Sequence, residues 1–101
     1  MLAALRERGI HLEPQVLLKL PGYGPAHLDG ADRRLRWGVE VDHVTWHGGR
    51  IDAQRDKARD RAARRINWLI ERVTDQEVTV GLAQVINELE DSYRRRTREL
   101  R

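Results

Sequence analysis

Residues 35–42 carry the clearest pattern in the chain. Leu35, Trp37, Val39 and Val41 alternate with Arg36, Gly38, Glu40 and Asp42 at period two. That is the signature of a strand with one apolar and one polar face, and it puts Glu40 and Asp42 together on the polar one. Residues 15–20 (QVLLKL) and 68–73 (WLIERV) read as two further strands. Pro21-Gly22-Tyr23-Gly24-Pro25 is a turn cluster, residues 26–29 a brief extended piece and residues 30–34 a second turn.

Helical periods fill the rest. Residues 2–8 read as a short helix stopped by Gly9. Residues 51–65 contain no breaker and many helix formers, with a thin apolar stripe of Ile51, Ala58, Ala62 and Ile66. The small alanines imply close packing on a sheet, and Asn67 suits a left-handed helix end. Thr74 or Asp75 caps a final helix whose Leu82, Val85, Ile86, Leu89 and Tyr93 share a face. The arginine-rich stretch 94–98 is expected to fray. The order is helix, three strands, helix, strand, helix, an α/β or α+β layer architecture. The helical connection between strands 35–42 and 68–73 permits them to pair in parallel.

At 101 residues the chain makes one domain, with a core expected over residues 14 to about 93. The first helix starts abruptly, as the C-terminal part of a longer protein would. There is no cysteine, so disulfides, thiolate metal sites and cysteine nucleophiles are excluded. Neither a membrane span nor a signal peptide is visible, and the expected setting is cytoplasmic. The net charge is +3, and of the basic residues only Lys19 and Lys57 are lysine. The arginine fork suits phosphate and carboxylate, although GC-rich coding gives the same bias.

Three clusters carry candidate chemistry. Asp29, Glu40 and Asp42 place carboxylates near the ends of two successive extended segments. Mg²⁺ takes one or two carboxylates plus waters and substrate oxygens, so such a pair suits metal-assisted hydrolysis. The bland reading is a turn aspartate and a solvated strand face. His43 and His47 follow in a loop with Gly48-Gly49. They are either exposed loop histidines or a proton carrier and a phosphate contact. Arg55-Asp56 recurs one turn on as Arg59-Asp60, either a solvated ion-pair face or a phosphate contact beside the acids. Arg72 interrupts an apolar strand, either facing the same polar surface or lying at an edge.

Together these pieces resemble a family. Asp29, then Glu40-Val41-Asp42 with His47, then Arg55-Asp56 and Arg59-Asp60, then Asn67-Trp68-x-Ile70-x-Arg72-x-Thr74 look like the small endonuclease-like domains related to very-short-patch-repair endonucleases. Those belong to the PD-(D/E)XK, or restriction-endonuclease-like, superfamily. The resemblance covers residues 14 to about 90. It implies an αβββαβα core in three layers around a mixed sheet, here with a truncated N-terminal helix. It also implies Mg²⁺-dependent hydrolysis of DNA phosphodiesters, with Mn²⁺ an alternative metal. Asp29 and Glu40 correspond to the metal-binding acids, and Asp42 stands where the superfamily's usual lysine stands. His47 corresponds to a base or phosphate contact, and Arg55, Asp56 and Arg72 match polar positions that line or brace the site; from the residues themselves, His43 and Arg59 are further candidates to contact phosphate. The chain departs from the pattern at His43 and Asn67, where the family has glycine, and at Ala63, where it has a larger apolar residue. Two other readings remain open: an inactive nucleic-acid-binding or regulatory module of the same fold, and a homodimer formed through the face from Leu82 to Tyr93.

Overall fold

A computed structural model describes residues 1–43 and 50–100, with the backbone alone at residues 50–53 and 55. The elements are α1 (Leu2–Glu7), β1 (Glu13–Leu20), β2 (Gly24–Asp32), β3 (Trp37–Asp42), α2 (Arg50–Arg65), β4 (Leu69–Thr74), α3 (Asp75–Val80) and α4 (Leu82–Glu99). The strands form one mixed sheet in the order β1-β2-β3-β4. β1–β2 and β2–β3 are antiparallel, and β3–β4 is parallel, as the helical crossover between them allows. The fold is therefore α+β.

The alternation along β3 decides the layers. Trp37, Val39 and, across the ladder, Val73 join Leu5 of α1 and Val85, Ile86, Leu89 and Tyr93 of α4 in one core. The opposite sheet face packs Val16, Leu20, Ala26 and Leu28 against Ala62 and Ala63 of α2, where small side chains admit the close approach. Trp37 is fully buried, stands edge-on to the Tyr93 ring at 5.4 Å, and donates its indole N–H to Ser92 Oγ at 3.0 Å.

One irregularity matters for function. The β1–β2 ladder pairs Pro14 with Gly30 and Val16 with Leu28, but not the residues between them. Gln15 there has φ +52°. Strict alternation puts Leu12 and Val16 on one face, yet they join opposite cores, and Leu28 and Ala31 join the same one. The strands thus switch faces together at Gln15 and Asp29, as at a β-bulge. Asp29 is set at the switch.

Three expectations need correcting. Residues 30–32 are strand and the turn falls at 33–36. Gly30 stays in the strand because its bare Cα lies against Leu2 and Leu12, and the Asp32 carboxylate instead accepts from Leu35 N to close the later turn. The final helix is two. Thr74 caps α3 through a reciprocal box with Glu77, and Gly81 separates it from α4. The 94–98 stretch stays helical to Glu99, because Arg96 is buried and donates to the carbonyls of Leu35 at 2.9 Å and Asn67 at 2.5 Å. Most of the apolar face read as a dimer contact, Val85 to Tyr93, lies inside the chain's own core, while Leu82 is 37% exposed. Among the described residues no helix is long and apolar enough to cross a membrane.

Candidate active site

Glu40 and Asp42 leave β3 toward α2, opposite the apolar set. On β4 the residue paired with Glu40 is Arg72, whose side chain shares that face. Arg72 therefore both faces the polar surface and lies on an outer strand of the sheet. Its guanidinium bridges two acids, Asp42 Oδ2 at 2.8 Å and Asp56 Oδ1 of α2 at 2.9 Å. From the same helix Arg59, 7% exposed at its side chain, pairs with the Glu40 carboxylate. Because α2 crosses over this face, Asp56 and Arg59 point down at the strands. The i, i+3 spacing of those two residues brings both to the site.

Asp29 arrives from the second strand. Gly30 pairs with Val39, so Asp29 and Glu40 are the next residues outward on their strands. The Asp29 carboxylate accepts the backbone N–H of Val41 through Oδ2 at 2.7 Å. This bond clips the acid to the end of β3 and leaves its other oxygen outside the bond. His43, just beyond Asp42, sits 3.2 Å from Asp75 Oδ2 at the start of α3. His47 lies outside the described residues, as does the side chain of Arg55.

Electrostatics follow from burial. Desolvation pushes the Glu40 carboxyl above the usual glutamate range, opposed by the Arg59 charge, reinforced by Asp42 and opposed again by Arg72. Burial alone lowers the Arg72 guanidinium, but the bond to Asp56 and the charges of Asp42, Asp56 and Glu40 outweigh it and hold it cationic. Arg72 Nε is buried without a hydrogen-bond partner.

The structure thus gathers Asp29, Glu40, Asp42, Arg59 and Arg72 at one end of the sheet, with His43 at its margin. Among the described residues no group of three or more His, Asp or Glu is placed to hold a metal ion. Asp29 and Glu40 bring two carboxylates to adjacent strands, the hard-oxygen donor type that a divalent cation such as Mg²⁺ prefers. Sequence reasoning missed Asp75, although its place at the head of a helix that follows a strand was a legible signal. Comparison with protein-family models, with curated proteins and with solved structures finds no match.

Proposed function

We propose that this domain hydrolyses nucleic-acid phosphodiesters with a divalent metal, on a restriction-endonuclease-like core, with DNA as the substrate. The observation that carries the reading is that Asp29, within β2, accepts from the backbone N–H of Val41, the residue after Glu40 on β3, with two arginines on the Glu40 face of the sheet. Asp29 and Glu40 would hold Mg²⁺ or Mn²⁺, which would polarise the phosphoryl group and lower the pKa of a bound water. Arg59 neutralises Glu40 in the structure, and with a cation held by Glu40 its guanidinium would be free to offset charge on the scissile phosphate. Arg72, fixed by Asp42 and Asp56, keeps positive charge beside the developing negative charge. His47 supplies or removes a proton, and His43 and Arg55 contact the strand's phosphates.

The test is plasmid nicking with Mg²⁺ or Mn²⁺ by the wild-type chain and by Glu40→Ala. Metal-dependent nicking that disappears in the variant is expected, and equal nicking by both would refute the assignment.

A second reading has one observation in its favour. Glu40 and Asp42 are both already engaged by arginines. If Arg59 never releases Glu40, the domain is an inactive nucleic-acid-binding module. Mn²⁺ titration calorimetry separates the two. Binding that tightens in Arg59→Met supports the metal site, and no heat in either protein supports the inactive module.

A further inference from the structure

The outward face of α2 carries a second feature that the acidic site does not use. Asp56 and Arg59 point inward, and Ala62 and Ala63 are buried, so Lys57, Arg61, Arg64 and Arg65 are left exposed. Their spacing is i, i+4, i+7, i+8, one continuous stripe. None of the four has an ion-pair partner among the described residues. Lys57–Arg61, Arg61–Arg64 and Arg61–Arg65 are like-charge neighbours, which oppose helix formation. The helix dipole favours cations in the last turn and so accounts for Arg64 and Arg65, but not for Lys57 and Arg61. Asp60, three residues after Lys57 and four before Arg64, offsets only part of this repulsion, and the net positive charge that remains suits an anion from outside.

Where the stripe ends, a recess of about 290 Å³ opens between α2 and the outer edge of β4, lined by Asp60, Ala63, Arg64, Trp68, Leu69 and Ile70. Trp68 is partly exposed there. An indole beside a guanidinium is a stacking platform for an unpaired base, and a row of arginines tracks a phosphodiester backbone. The Asp60 carboxylate at the rim is an acceptor suited to a base's exocyclic amine.

We propose that the outer face of α2 binds a single nucleic-acid strand, its phosphates along Lys57, Arg61, Arg64 and Arg65 and one base in the Trp68 recess. This surface is separate from the carboxylate centre, on the other side of the same helix. It holds the strand whether or not that centre cleaves. An anionic membrane would also be drawn to the arginines, but Trp68 lies in a recess and packs against the core, so it is not presented for insertion into a bilayer.

The test is fluorescence anisotropy with a labelled single-stranded oligonucleotide, in chelator so that cleavage plays no part. Arg61→Gln/Arg64→Gln/Arg65→Gln exchanges exposed, unpaired side chains for another good helix former, and an unchanged circular dichroism spectrum checks its fold. Binding should weaken at least about tenfold, and the slope of log affinity against log salt should shrink by roughly 0.7 for each phosphate that is no longer neutralised. In the unmodified protein the oligonucleotide should quench tryptophan emission, and Trp68→Phe should abolish that quench. Unchanged affinity and slope in the triple variant would overturn the proposal. So would binding to phosphatidylserine vesicles with none to the oligonucleotide. If the triple variant fails to fold, protection of Arg61, Arg64 and Arg65 from phenylglyoxal by the oligonucleotide replaces it, and no protection overturns the proposal. Failure of metal-dependent nicking leaves this result standing, because the two surfaces are read by different assays.

Discussion

Glu40 shows how one partly buried carboxylate couples stability to pH. Its folded-state pKa is raised, chiefly by desolvation. Its stabilising contribution is therefore complete below the unfolded glutamate value and is lost as pH rises through the raised folded value. Arg59 limits that loss by holding the ionised form. Arg59→Met should move the Glu40 titration further up and cost about 2–3 kcal/mol at neutral pH, as an ion pair broken at a mostly buried site does. Urea unfolding across pH, with the Glu40 carboxyl followed by NMR, measures both. An unmoved titration would mean that the pair is not formed in solution. Gly30 gives a second case. A Cβ there would come within 2.7 Å of Leu2 Cδ2 and 3.2 Å of Leu12 Cβ. Gly30→Ala should destabilise by about 1–3 kcal/mol through overpacking, read as a lower urea midpoint at unchanged slope.

Among the elements, the two C-terminal helices depend on different devices. α3 has no fully buried residue, only Val78 packed against the core, and depends on its capping box, with Thr74 Oγ1 accepting from Glu77 N at 3.0 Å and Glu77 Oε1 accepting from Thr74 N at 3.1 Å. Thr74→Ala should cost about 1 kcal/mol and loosen α3 first, seen as faster amide exchange confined to residues 75–80. α4 is held by its apolar face and, near its end, by Arg96, which ties the 33–36 turn to the turn after α2. Arg96→Met keeps the packing but orphans two carbonyls. About 2 kcal/mol of lost stability is expected by thermal unfolding. A loss near zero would show that water replaces the guanidinium there without cost.

Across the whole molecule, the buried core and the candidate site separate along β3. Trp37, Gly38 and Val39, inside the sheet and between two helical layers, are buried, whereas Glu40, Val41 and Asp42 toward the other end are only partly so. Amide exchange should be slowest at residues 37–39 and fastest at the exposed turn 21–23 between β1 and β2, with opening energies falling between those limits. Uniform exchange across the sheet would contradict this gradient. The partly buried end is where Arg59 and Arg72 stand over the acids, away from the fully buried residues 37–39. The α2 helix connects the two halves of the molecule. Its alanines fasten it to the sheet, its inner charged residues complete the carboxylate centre, and its outer ones form the basic stripe.

Alternation determined β3, an unbroken run of helix formers determined α2 and helical periodicity determined the apolar face of α4, because each is written locally, whereas the helical connection only permitted the parallel β3–β4 pairing. Alternation also determined that Glu40 and Asp42 share a face, since strand geometry alone requires it. Tertiary packing decided the rest. Whether Gly30 turned the chain or extended it depended on Leu2 and Leu12, far away in sequence. Whether the 94–98 arginines frayed depended on carbonyls presented by two remote turns. Arg59 and Arg72 met their acids only because α2 crosses one particular face of the sheet, and Asp29 reached β3 only because β1 and β2 switch faces together. Such partners are separated along the chain by lengths that carry no period, so no local pattern encodes them.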